Sequence, residues 1–375
     1  MHFKRYFILL FLSFSISNYC HSQDRKASYI QDYQIHQTDT GKLFLQIFNN
    51  NFIKNNEYFG AIAEGYTLLG FNIAPKFVYA PSSKVQLSVG GNFLSYNGRE
   101  NEVEARLLLS FQYKVHPKLD FILGNIYGTV NHRLISPLFE FEHFLNKNVE
   151  NGIQFIWNSE RIFTDLWLDW EQQIIAGDPF QEKFNVGLSS NFTIVDQANY
   201  QISIPFQNIV RHEGGQINSN SEEPLTTIFN NATGLRFTKP IHLPWFHLFS
   251  ISSFMVNYQD LSPQKHQMFI DGIASYTTLD FSNKKLNLTL GYWYGEQYIA
   301  PLGNPLFESY SRTKFFVEEP IRQLAIGRLS YEQEVFENIN LGVRFEGFYD
   351  IPAGNTEYTW ALIVVFNEKF FLKKL

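Results

Sequence analysis

From Glu102 to Val115 the chain alternates by twos. Val103, Ala105, Leu107, Leu109, Phe111, Tyr113 and Val115 fall on one side, and Glu104, Arg106, Leu108, Ser110, Gln112 and Lys114 on the other. Successive strand side chains point to opposite faces, so this period predicts one long strand with an apolar and a polar face. Strands of soluble proteins average about five or six residues. A strand that crosses a bilayer needs about 9–11, apolar outward and polar inward. The stretch has the second character.

The pattern repeats along the chain. About sixteen strands are predicted, over 41–53, 64–79, 84–97, 102–115, 118–130, 150–158, 161–173, 183–194, 197–210, 226–239, 246–258, 266–281, 284–299, 322–335, 337–349 and 356–370. In 183–194, Phe184, Val186, Leu188, Phe192 and Ile194 oppose Asn185, Gly187, Ser189, Asn191 and Thr193. In 337–349, Ile339, Leu341, Val343, Phe345 and Tyr349 oppose Asn340, Gly342, Arg344 and Glu346. Small and polar residues on the second face suit a hydrated interior. Loop lengths supply the sidedness, since such barrels have short periplasmic turns and longer outer loops. Links 81–84 and 116–118 then fall in the periplasm, and 97–101, 211–226 and 301–322 outside. An even strand count follows only if 131–149 is a single outer loop.

Composition sharpens this picture. Of the 375 residues, 17% are aromatic and only 18% charged, with a net charge of −6. Mean hydropathy is nevertheless −0.19, and past the N-terminus no apolar run is long enough for a spanning helix. A barrel reconciles the two, because half of each strand faces water. The absence of a basic surplus argues against nucleic acid as a partner. Residues 1–22 read as a secretory signal: Lys4 and Arg5, an apolar run from Tyr6 to Ile16, then small and polar residues. The only cysteine, Cys20, falls within it, so the mature chain has no disulfide framework and no thiol chemistry. Residues 23–40 are expected as a periplasmic tail and 41–375 as the barrel.

The last predicted strand ends in Phe370 and Phe371, followed by Lys373 and Lys374. With this terminal aromatic strand and the repeated alternation, the chain resembles a Gram-negative outer-membrane β-barrel, porin-like in scale. The resemblance implies location and fold and carries no substrate motif.

Candidate chemistry concentrates in two places. Strand 161–173 turns Asp165, Trp167, Asp169 and Glu171 inward, a strip of carboxylates beside an indole that suits neutral sugars or cations. Alternatively these acids pair with lumenal Arg106, Lys114, Arg328 or Arg344, next to Glu346, and hold the interior together. Asp165 and Asp169 lie roughly 13 Å apart along a strand, beyond the roughly 5–9.5 Å that paired-carboxylate glycoside hydrolysis uses. The second place is loop 131–149, with His132, Arg133, Glu140, Glu142 and His143. A histidine there could serve as a general base toward outer-leaflet lipid, with Ser136 or Ser159 nearby in sequence. The plainer reading is a polar loop folded into or over the pore. No metal-ligand spacing is present.

The expectation is an all-β transmembrane antiparallel barrel in the cell outer membrane. It is read as a channel for small hydrophilic solutes and not as an enzyme, without cofactor or metal. Its partners are outer-membrane lipid and the solute, with homo-oligomer formation open. The alternatives are a barrel enzyme acting on lipid with His132 as base, and an assembly barrel of a secretion or polysaccharide-export complex.

Overall fold

The computed structural model describes residues 29–99, 102–215, 223–314 and 316–375. The expected signal segment, with Cys20, lies outside them. Sixteen strands form one closed antiparallel barrel. They are β1 Lys42–Glu57, β2 Tyr66–Ser82, β3 Val85–Tyr96, β4 Val103–His116, β5 Leu119–Asn125, β6 Asn151–Asn158, β7 Ile162–Gln172, β8 Glu182–Gln197, β9 Tyr200–Gly214, β10 Thr226–Pro240, β11 Leu248–Asp260, β12 Asp271–Ser282, β13 Leu286–Glu296, β14 Ile321–Phe336, β15 Ile339–Asp350 and β16 Asn355–Lys374. Each pairs with its neighbours in the chain, and β1 pairs with β16 to close the ring. Closure satisfies the backbone groups that an open edge would leave bare in hydrocarbon. Among the described residues no helix is long and apolar enough to cross a membrane.

The alternation resolves into two faces as the sequence predicts. On β4, Leu107 and Leu109 point outward with 66% and 51% exposure, while Leu108 and Gln112 are buried inside. Connections at one rim are very short (83–84, 117–118, 198–199 and 337–338) and those at the other run to 126–150 and 297–320. The short-turn rim is the periplasmic one.

Two outer-side segments fold inward, 131–149 as the pore-entering loop that the plainer sequence reading expected, and 301–322 against the expectation of an outer loop. Strand β5 stops at Asn125, where Gly124 (φ +96°) turns the chain in, and 126–150 folds into the lumen. Segment 297–320 follows it. The Asn230 amide donates to the Ile299 carbonyl (2.7 Å), and the Tyr298 hydroxyl to that of Pro137 (3.0 Å). At Gly303 any Cβ would lie 2.1 Å from the Pro137 carbonyl oxygen, so only glycine lets the two segments touch. An apolar cluster seals the outer half: Trp293 packs edge-on against Tyr298 and Phe307, with ring centres 5.0 and 5.1 Å apart. The segment ahead of β1 enters from below. Gln112 on β4 donates to the Tyr33 carbonyl (2.6 Å), and Tyr29 packs against Phe141 and Phe144 under the plug.

Candidate functional site

His132 lies inside the plugged lumen with no exposed surface. Its neighbours Thr129 and Arg133 adopt φ of 53° and 58°, a left-handed conformation uncommon outside glycine. The turn they make carries the imidazole to the barrel wall. There Nδ1 lies 2.7 Å from Asp165 on β7 and Nε2 2.8 Å from Glu150, and the ring stacks on Trp167 at 3.6 Å. Burial alone would lower the pKa of His132, but the charges of Glu150 and Asp165 overcome this and push it up to about 10. The ring is therefore an imidazolium that donates from both nitrogens. It has no lone pair with which to act as a base.

The other sequence-predicted residues are brought into the lumen but not into one cluster. Asp169 accepts from the backbone N–H of Asn151 (2.9 Å), and Glu171 pairs with Arg211 (3.1 Å) and Lys147 (3.7 Å). Arg106 pairs with Glu104, Lys114 with Asp120 (3.0 Å), and Arg344 and Arg328 both with Glu346 (2.9 and 2.5 Å). The acids of β7 thus take partners other than the four cations named from sequence. Arg133 lies over the Phe163 ring at 3.8 Å.

Glu142 is held by Lys54 (2.6 Å) and by the Tyr66 hydroxyl (2.6 Å), all at the top of β1 and β2. Burial, then the charge of Glu142, raises the Glu140 carboxyl to about 7. Burial lowers His143 to about 4, so it is neutral, edge-on to Phe139. Ser136 receives a bond from Arg328 (2.9 Å). Ser159 bonds the Ile162 backbone in a periplasmic turn, at the opposite end of the barrel. Neither serine is joined to His132.

The lipid-facing wall holds groups that the sequence reading missed. At the outer end of β9, His212 faces out, stacked on Phe184, which stacks on Trp170 (ring centres 4.8 and 5.4 Å). Its Nδ1 is 2.9 Å from the Thr227 hydroxyl on β10. Below them Asn208, Asn231 and Asn257 stand directly opposite one another on β9, β10 and β11. Asn231 donates to Asn208 at 2.5 Å. Beside this row opens a cleft of about 600 Å³, lined by Asn231, Asn257, Gln259, Asp271, Glu296 and Gln297 among others. The available signal was polar residues at outward positions of β9 to β11, which single-strand alternation flags but cannot join.

Comparison with known proteins adds a family. A model described as "Lipid A 3'-O-deacylase-type" matches residues 35–375. This overturns the expectation of a barrel without enzyme activity, because the matching family is one of deacylating enzymes. No curated protein matches. Among solved structures, the outer membrane protein OprD from Pseudomonas aeruginosa aligns with a TM-score of 0.53 at 8% identity, over 91% of this chain and 97% of that one. A loop-deletion form of OmpT, an outer membrane protein of Vibrio cholerae, gives 0.52 at 8%, over 87% and 99%. OmpT in its trimer form gives 0.50 at 8%, over 87% and 100%. The likeness is one of fold. With its apolar exterior, the molecule is a sixteen-stranded β-barrel of the cell outer membrane.

Proposed function

The chain belongs to the lipid A 3'-O-deacylase-type family, and from that premise we propose that it hydrolyses an acyl ester of an outer-leaflet lipid at the lipid-facing rim. The observation that carries this is the contact of His212 Nδ1 with Thr227 Oγ1 at 2.9 Å, on the outside of the barrel beside Trp170. A base within hydrogen-bond reach of a hydroxyl is the minimum geometry for acyl transfer. In this reading His212 takes the Thr227 proton while Oγ1 attacks the ester carbonyl carbon. The alcohol oxygen leaves with that proton, and water then releases the fatty acid from Thr227. In this reading His132, held between two carboxylates, keeps a structural role. His242 and His247 lie in a periplasmic turn, on the wrong side for outer-leaflet lipid.

The test is mass spectrometry of fatty acid released from lipid A by the refolded barrel. Thr227→Ala and His212→Ala each lower the rate by about 10²-fold or more. No release by the unaltered protein rejects the proposal. Undiminished release by both variants moves the chemistry off the rim.

A second reading, passage of small hydrophilic solutes, is favoured by one observation. The periplasmic half of the lumen is lined by half-buried polar groups such as Gln46, Lys76, Arg236, Asp280 and Asn340. A sixteen-stranded barrel is wide enough for a channel unless loops plug it. Passage then requires that 126–150 and 297–320 move, and planar-bilayer recording checks it. A bilayer that stays sealed at every voltage rejects it.

A further inference from the structure

The barrel exterior is not uniform. Along β2 to β5 the exposed outward side chains are almost entirely apolar, including Phe71, Ile73, Phe77, Val89, Leu107, Leu109 and Leu123. Across β9 to β12 the outward positions include the Asn208–Asn231–Asn257 row and, deeper, Ser253 hydrogen-bonded to Thr277 at 3.0 Å. Asn257 is eight residues above the periplasmic aromatic Phe249 on β11, about 27 Å along the strand at ~3.4 Å per residue. A tilt of about 40° makes this roughly 20 Å along the membrane normal, inside an apolar band about 25 Å tall. Above the cleft, Leu261, Met268 and Ile270 are exposed, so apolar surface continues outward past it. Glu296 is level with Asn257 through Ile273, and Asp271, opposite Gln259, lies two residues farther out at the upper edge of the band; amides and a carboxylate so placed call for a polar occupant.

The lining selects the occupant. Asp271 stands opposite Gln259, and Glu296 opposite Ile273, which in turn faces Asn257. The two carboxylates are therefore diagonal neighbours on adjacent strands, on the order of 7 Å apart at the backbone. The lining holds no Lys, Arg or His, and among the described residues neither acid is ion-paired. A bare phosphate would be repelled here. An ammonium would sit between the acids, and the amides of Asn257, Gln259 and Gln297 would donate to an adjoining phosphodiester.

We propose that the cleft between the outer ends of β10 and β13 binds the ammonium-bearing phosphodiester headgroup of a membrane lipid. The inference goes beyond the hydrolysis proposed above and stands without it, since its test reads binding alone. The full-length barrel is reconstituted with phosphatidylethanolamine, with its N-acetylated form, with phosphatidylglycerol, or with lipid A with and without an ethanolamine phosphate. Bound lipid is then counted by native mass spectrometry after partial delipidation.

Retention of an ammonium-bearing lipid about tenfold or more above its N-acetylated or unsubstituted counterpart is expected. Which arm shows it, phospholipid or lipid A, names the source. Asp271→Asn combined with Glu296→Gln, both at exposed positions, abolishes the preference while the barrel still folds. Equal retention of all lipids, preference for phosphatidylglycerol, loss of binding with EDTA, or occupation by a second copy of the chain overturns the proposal.

Discussion

The two halves of the lumen are built from the same strands and differ in what fills them. The outer half contains Trp293, Tyr298, Phe307 and Leu138, all buried in one cluster, while the His132 ion pairs lie against Trp167 in a second cluster across the lumen. The periplasmic half keeps half-buried polar side chains around a single strap, Tyr29 to Thr40. One is a packed core that happens to lie inside a barrel; the other sets its polar side chains beside a smaller apolar cluster of Tyr33, Ile122, Ile156 and Phe163. The difference teaches that strand alternation fixes which side chains face inward but not whether water meets them there. Loops decide that.

The largest effect expected comes from breaking the outer half. His132→Ala leaves Asp165 and Glu150 facing each other without a cation, and removing one member of a buried charged group costs about 3–5 kcal/mol. Urea unfolding in detergent measures it. Phe307→Ala, which empties the aromatic cluster, costs a similar 3–5 kcal/mol. A polar residue of the periplasmic half such as Lys76, changed to Ala, should move stability much less, and an equal loss at both places would erase the contrast.

Next comes pH. The folded pKa of His132, about 10, exceeds that of an unfolded histidine. Its contribution is complete below about pH 6.5 and lost as pH rises through 10. Glu140 works in the same direction over a lower window. Its folded value of about 7 lies above an unfolded carboxylate, so the plug loosens as pH rises from about 4.5 through 7. Hydrogen exchange over 137–146 reads this step, and Glu140→Gln should remove it.

A smaller change is expected at the strap. Tyr33→Ala forfeits the Asn158 bond (2.7 Å) and the contact with Tyr127. It should speed proteolysis near residue 33 from the periplasmic side and leave the barrel's unfolding midpoint nearly fixed. The least effect belongs to Arg99→Ala. Its pair with Glu102 is 67% and 66% exposed, and such pairs contribute about 0–0.5 kcal/mol.

Much of the barrel was legible because its signal is local. Each of the strands 102–115, 183–194 and 337–349 carries its own in-and-out code, and each turns the faces as read. Loop lengths added the sidedness. The site was less legible. His132, Glu140 and Glu142 were singled out and do enter the lumen, but the base suggested for His132 is a cation between two acids. Nothing near residue 132 in sequence announces Asp165, thirty-three positions on. Segment 131–149 read as a loop because it lacks a period. It is ordered by partners on β1, β7 and β14.

By itself the sequence determined the strands, their two faces and the even closure, since a period of two needs only neighbouring residues to be recorded. Tertiary structure alone decided that the outer lumen is filled, that His132 is charged, and that Thr227 meets His212 on the outside. Those facts depend on register between strands and on inward-folded segments, and both are set by contacts among residues far apart in the chain.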